Sequence, residues 1–404
     1  MQMNSKKKTA IAVLVTFILT TLLYTAALTV IPTFNTALGD VRAFLEGSDN
    51  PELDEKMREI NRHIDDLYIY EADREKMNDM ALTGYVAALG DAYTEYITKD
   101  NYKLMMETIT GDYKGVGIEV FVDSDNLITV ITAFDDGPAA RAGIKAKDKL
   151  LEVNGKKISG DNYEEAVDMM KGTGKHAGSS DKLLFKVKRG EEELEFSVIR
   201  TEVAAHTVQT KMLKNNIGYI RLSAFDETTG MDFKIRLEQL LADGAKSLIL
   251  DLRNNPGGTL TAVVSVADTI LPKGKIITIK EKSGAETVYQ SDKKEIDVPM
   301  CVLINGGSAS ASEVLAGAIK DHGKGILVGE TSFGKGVVQT VLPLSDGSAL
   351  KLTTAEYFTP SGKSIHKKGI IPDHVVKLET EKSVFALDES EDTQLQKAIE
   401  ILSE

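Results

Sequence analysis

The chain opens on an uncharged apolar run, residues 9–31 (TAIAVLVTFILTTLLYTAALTVI), about 23 positions long, which suits one crossing of a bilayer. Residues 36–111 carry helix formers with heptad-like apolar spacing through REINRHIDDLYIYEADREKMNDMALTGYVAAL, and predict a helical region. Residues 112–202 break into short strands around one amphipathic helix. GVGIEVFV and LITVITAF read as strands, NYEEAVDMMKG as the helix, and KLLFKVKRGEEELEFSVIR as a hairpin turning at Arg189–Gly190. Residues 203–375 alternate. IGYIRLSAF, KSLILDL, VPMCVLIN, KGILVGE, GVVQTVLPL and SALKLTTAEYF read as strands, with helices at GGTLTAVVSVADTIL and SASEVLAGAIKD, which predicts an α/β core. Residues 376–404 end in a short helix, EDTQLQKAIEILSE.

Composition narrows this picture. At 404 residues, 42% apolar and 27% charged, the chain is long enough for two or three ordinary globular domains. A net charge of −13 argues against nucleic acid as a partner, because phosphate binding needs a basic face. The single cysteine, Cys301, forbids an intramolecular disulfide, and its setting (VPMCVLI) predicts a buried strand residue. Lys6, Lys7 and Lys8 precede the apolar run and no basic cluster follows it. The positive-inside rule then leaves residues 1–35 as a cytoplasmic stub with a membrane anchor and sends the bulk of the chain outside. A cleaved signal peptide with its site near Thr25–Ala27 is the competing reading, but the run is longer than a usual signal core.

Candidate chemistry concentrates at residues 305–339, NGGSASASEVLAGAIKDHGKGILVGETSFGKGVVQ. Ser308, Ser310 and Ser312 crowd a small-residue turn that runs into a helix, and Lys335 and Gln339 follow. A serine can attack a carbonyl while a neutral lysine takes its proton, with no histidine needed. Ser310 and Glu313 also have the S-x-x-E spacing of a capping box, which by itself accounts for both residues. Lys335 must be neutral to act as a base, and burial among FGKGVV would favour that form. On a strand, positions 335 and 339 would share a face. GETSFGK approaches a phosphate-binding loop, but Gly336 stands where Mg²⁺ ligation needs Ser or Thr. None of the six histidines has a metal-binding spacing. His322 lies twelve residues along the helix from Ser310, roughly 18 Å by helical rise, too far to serve it.

The run SASASE, the segment GETSFGKGVVQ and the distance between them resemble the C-terminal processing peptidases, also called tail-specific proteases. So do DLRNNPGG at 251–258, LGDAYTEYITKDNYKLMMETITGDYKGVG, and FTPSGKSIHKKGIIPD at 358–373. The resemblance implies Ser310 as nucleophile, Lys335 as base and Gln339 as its orienting partner. It implies an oxyanion hole from the amide of Gly258, or of its neighbour Gly257, together with that of Ala311. It implies a crotonase/Clp-protease-like α/β core, and neither cofactor nor metal. Residues 112–202, through GPAARAGIKAKDKLLEVNG, resemble a PDZ domain inserted ahead of that core. Such a domain adds a peptide C-terminus to a sheet edge and holds the carboxylate with loop amides, here at Lys114–Gly115–Val116–Gly117, beside a helix wall bearing Val167 and Met170. The chain departs from the family pattern at Ala92 (usually proline), at Lys147 (usually glycine) and at Lys171, where an arginine linking the PDZ helix to the core is expected.

The expected function is therefore a membrane-anchored, extracytoplasmic serine endopeptidase whose partners are proteins with accessible C-terminal tails, with the helices of 36–111 either forming a homodimer contact or only packing on the core. A catalytically silent anchored PDZ scaffold is the alternative. A CoA-using hydratase would share a related core, but export and the PDZ region speak against it.

Overall fold

The computed structural model describes residues 50–134, 137–204, 206–292, 296–378 and 384–404. The expected anchor at 9–31 lies outside the described residues. Among those described, no helix is long and apolar enough to cross a membrane. The chain divides into two compact units, residues 1–80 and 81–404. In the first, helix α1 (Pro51–Leu67) has a capped start. Asn50 accepts from the Leu53 N–H (3.2 Å), Pro51 opens the first turn, and Glu52 and Asp54 sit at its positive end. Helix α2 (Arg74–Ala87) begins in this unit and ends in the next.

The expected helical region 36–111 is interrupted by a strand. Residues Glu95–Ile97 (β1) pair antiparallel with residues Ala349–Lys351 of the core, placing Tyr96 opposite Leu350. Three residues are too few to show a two-residue period, so only the partner reveals them. Helix α3 (Lys99–Thr110) follows and ends on Gly111 in the left-handed conformation.

Next comes the small β-domain. Strand β2 (Asp112–Gly115) pairs with β9 (Thr201–Ala204) and draws the two ends of the domain together. Between them lie β3 (Ile118–Val122), β4 (Ile128–Ala133), helix α4 (Pro138–Ala142), β5 (Lys149–Val153), β6 (Lys156–Lys157), helix α5 (Tyr163–Lys171), β7 (Lys182–Arg189) and β8 (Glu192–Ile199). The sheet runs β3-β4-β5-β7-β8, with β6 on β5 and β3 at an edge. Period-two alternation turns Leu183, Phe185 and Val187 inward against Ile128, Leu150, Ala166 and Met170. Lys147, at the usual glycine position, adopts φ 71°. A side chain there costs about 1 kcal/mol of backbone strain that glycine would avoid.

The core continues with β10 (Val208–Leu213), β11 (Ile217–Leu222), helix α6 (Thr229–Ala242), β12 (Ser247–Asp251), helix α7 (Leu260–Ile270), β13 (Gly274–Glu281), β14 (Glu286–Ser291), β15 (Met300–Ile304), helix α8 (Ala311–Asp321), β16 (Ile326–Gly329), β17 (Val337–Pro343), β18 (Ala349–Phe358), β19 (His374–Val375) and helix α9 (Thr393–Ser403). One sheet has the order β10-β11-β12-β15-β16-β19, parallel except for β10. Alternate residues face opposite sides. Leu248, Leu250, Val302 and Ile304 pack toward helices α6, α7 and α8, while Ile249, Cys301 and Leu303 pack toward Leu395 and Ala398 of α9. Both faces are therefore covered, as parallel sheets require. Cys301 is the buried strand residue expected, and burial pushes its thiol up to about 12. The second sheet, β1-β18-β13-β14 with β17 on β18, closes over α7 and α8 through Ile276, Ile277, Ile279, Ala355 and Tyr357. Its β13–β14 hairpin turns at Ser283–Gly284, and a bulge between Lys275 and Ile277 breaks the alternation of GKIITIKE.

A polar joint helps fasten the β-domain to the core. Glu119 on β3 accepts from both terminal nitrogens of Arg221 on β11 (2.8 and 3.1 Å) and from the Gln209 amide (3.0 Å). The Arg221 guanidinium also lies 4.3 Å from the ring centre of Phe385, against which Phe121 packs edge-on.

Candidate active site

Two strand-to-helix turns meet at the ends of β12 and β15. The first, Asp251 to Thr259, is held rigid. Asn254 donates its N–H to Asn305 Oδ1 (2.9 Å), and the Asn305 side chain donates back to Asn254 Oδ1 (2.8 Å). The second, Asn305 to Ser310, carries the three serines. Ser308 is fully buried: its hydroxyl donates to Leu252 O (2.8 Å) and accepts from the Asn305 N–H (3.0 Å). Ser312, also fully buried, donates to Asn255 O (2.9 Å). Those two hydroxyls tie the turns together.

Ser310 is different. It is half-buried, and its backbone stands at φ 54°, ψ −114°, a region that favours glycine and costs a residue with a Cβ about 1–3 kcal/mol. Strain of that kind persists only where the surroundings hold it. Here Glu313 does much of the holding. Its Oε2 accepts from the N–H of Ser310 (2.9 Å) and of Lys335 (2.9 Å), and its Oε1 from the Ser332 hydroxyl (2.6 Å) and the Gly334 N–H (2.7 Å). The capping-box spacing was therefore half the story. The Glu313 N–H goes to the Ser310 backbone carbonyl (2.9 Å). The wholly buried carboxylate also clamps the loop that brings Lys335.

Lys335 is half-buried, and its amine lies 5.1 Å from the ring centre of Tyr93. Burial, then the neighbouring Lys351 charge, lowers its pKa, against the opposing pull of Glu313, Glu95 and Asp91. Among the described residues no hydrogen bond joins Ser310 Oγ to Lys335 Nζ, and such contacts commonly tighten only with substrate bound. The shared-face expectation for 335 and 339 does not hold. Strand β17 begins at Val337 and its register slips between Val338 and Gln339, so simple alternation fails. Gln339 donates to the Thr353 hydroxyl (3.2 Å).

The Pro256–Gly257–Gly258 turn abuts Ser310. A Cβ on Gly257 would stand 2.8–2.9 Å from Ala309 O, Ser310 Cβ and Ala311 N, so no other residue fits there. The Gly257 N–H is held by Asn255 Oδ1 (2.9 Å). Among the described residues the N–H groups of Gly258 and Ala311 have no such partner.

Gly257 and Gly258 also line a cavity of about 640 Å³ whose other walls include Val116, Gly117, Val167 and Met170. Gly117 needs to be glycine: its φ is 74°, and a Cβ would meet Gly137 Cα at 3.1 Å. Lys114 and Gly115 stand apart. They belong to β2 and its ladder, and the Lys114 amine pairs with Asp181 (2.8 Å). Lys171, in place of the expected arginine, lies 5.3 Å from the ring centre of Tyr113.

A peptidase family S41 profile matches residues 216–376, and a PDZ profile matches residues 106–187. The carboxy-terminal processing protease CtpA of Bacillus subtilis is 34% identical over 360 residues, 88% of this chain and 75% of that protein. The chain belongs to peptidase family S41. A second relative, the carboxy-terminal-processing protease of Bartonella bacilliformis, is 38% identical over 327 residues, covering 79% of this chain and 74% of its own length. A solved S41 protease structure from Bacteroides fragilis matches 83% of this chain and 92% of its own at a TM-score of 0.61 and 15% identity, a likeness of fold. The molecule is thus a serine-type peptidase of the carboxy-terminal processing group with a PDZ domain, and the scaffold and hydratase alternatives fall away.

Sequence reasoning did not see the reach of Glu313 to residues 332–335, nor the place of Tyr93 and Tyr357 beside Lys335. The only local signal was aromatic residues inside segments already resembling the family.

Proposed function

We propose that this S41 peptidase is anchored by residues 9–31 with its catalytic region outside the cytoplasm, takes a substrate's C-terminal tail into the PDZ groove, and cuts it with a Ser310–Lys335 dyad. Neutral Lys335 removes the Ser310 proton as Oγ attacks the scissile carbonyl carbon. The N–H groups of Gly258 and Ala311 receive the oxyanion, a contribution worth about 10²–10³ in rate per donor. Collapse breaks the C–N bond, and the leaving amine takes the proton from Lys335. Water then gives a proton to Lys335 and attacks the acyl-enzyme, and Ser310 Oγ leaves with that proton. Gln339 orients the amine. The uncovered apolar stripe Leu53, Met57 and Ile60 on α1 supports a homodimer contact.

The observation that carries this reading is that the groove residues Val116, Gly117, Val167 and Met170 and the Gly257–Gly258 turn face one cavity. A tail held by the first lies open to chemistry at the second. Amidating the C-terminus of a peptide substrate removes the charge the groove amides would hold, and is expected to raise KM with little change in kcat. Equal KM values for the free acid and the amide would remove the tail-reading role.

Only the unprotonated amine is a base, so activity should rise with pH through the Lys335 pKa and level off above it, with the inflection below the usual lysine range. Lys351→Ala removes a like charge and should move that inflection to higher pH. An inflection that stays in place after this change would show that the titrating group is not Lys335.

A further inference from the structure

Tyr357 stands on β18 with its side chain buried beneath the site. Its hydroxyl meets two main-chain carbonyls, Ser310 O at 3.2 Å and Lys335 O at shorter range. Its own N–H donates to Gly336 O (3.0 Å). The ring belongs to the core that contains Ile279 and Ala355, so the hydroxyl cannot drift without disturbing that packing. Burial, with the nearby Glu313 carboxylate second, raises the phenol pKa well above its ordinary value, so the group is a donor at every working pH.

These contacts complete a pattern. The N–H groups of Ser310 and Lys335 converge on one acceptor, Glu313 Oε2, and their carbonyls converge on one donor, Tyr357 Oη. The two residues come from different elements, the N-cap of α8 and the loop before β17. Two carbonyl oxygens aimed at one point repel unless a donor sits between them, and a phenol has a single proton to share in a three-centre bond. Ser310 also holds a backbone conformation that relaxes readily if its flanking peptide groups lose their partners.

We propose that Tyr357 is a positioning residue for the reaction: its hydroxyl sets the distance between the Ser310 and Lys335 backbones, and so aims the nucleophile at its base. This rests on the assignment of Ser310 and Lys335 to the dyad. An aiming error of about 1 Å can cost on the order of 10²-fold in rate, so Tyr357→Phe, which keeps the ring, is expected to lower kcat by roughly 10–100-fold while KM stays within twofold. The rate at which a fluorophosphonate labels Ser310 should fall by a similar factor, with kcat referred to the concentration of labelled serine so that misfolded protein does not count. A kcat within twofold of the parent, or a loss confined to KM, overturns the proposal.

If Tyr357→Phe does not fold, a fluorinated tyrosine at 357 retains ring and donor but is a stronger acid. Activity should then acquire a fall at alkaline pH that the parent lacks. An alkaline profile identical to the parent's overturns the proposal. Ser310→Ala and Lys335→Ala, assayed beside it, separate the two failures. If they retain turnover, the dyad assignment is at fault. If they are dead while Tyr357→Phe is not, only this inference fails.

Discussion

Ser310→Ala and Lys335→Ala should each lower turnover by about 10³-fold or more and leave the melting temperature near that of the parent. Neither change removes core volume, since both side chains are only half-buried. The neighbouring serines should behave in the opposite way. Ser308→Ala leaves the Leu252 carbonyl and the Asn305 N–H without their partner, and Ser312→Ala leaves the Asn255 carbonyl. Each should destabilise the fold by about 1–3 kcal/mol, read as a lower denaturation midpoint, while molecules that remain folded react with a serine probe. If Ser310→Ala keeps near-parental turnover and Ser308→Ala or Ser312→Ala loses it, the nucleophile has been misassigned.

On the proposed Ser310–Lys335 dyad, Glu313→Ala should cost both stability and rate. Four donors converge on this wholly buried carboxylate, and all four lose their acceptor. A buried donor without a partner costs about 1–3 kcal/mol, so a total loss of several kcal/mol is expected, together with a kcat lower by about 10²-fold as both catalytic backbones relax. Glu313→Gln is the sharper test. It keeps the volume but turns one accepting oxygen into an NH₂ that faces N–H or O–H donors. Denaturation and kcat measured on this variant would have to match the parent for the clamp to be discarded.

The sequence carried the α/β alternation, the β-domain and the segments bearing Ser310 and Lys335, because each is written in local periodicity or a compact run of residues. What it could not carry depends on partners far along the chain. Three serines in SASAS look alike until Leu252 and Asn255, more than fifty residues earlier, claim two of them. The amides of Gly257 and Gly258 read alike in the sequence, although the Asn255 side chain accepts from the first. Glu313 reads as a helix cap from its spacing, since nothing local announces the loop at 332–335. Strand β1 shows itself only through its pairing with β18, and the register slip between Val338 and Gln339 is one that spacing does not encode.

The cavity shared by the groove and the Gly257–Gly258 turn holds about 640 Å³. That is room for a few extended residues of a single strand and for no folded element. On the proposed tail-reading role, a protein whose last residues are packed into its own structure must release them before it can be read, and the free energy of that local opening adds directly to the barrier for its cleavage. Two substrates with identical terminal residues would then be processed at rates set by how often each tail frays. Hydrogen exchange at the substrate's final amides would rank them before any peptidase is added.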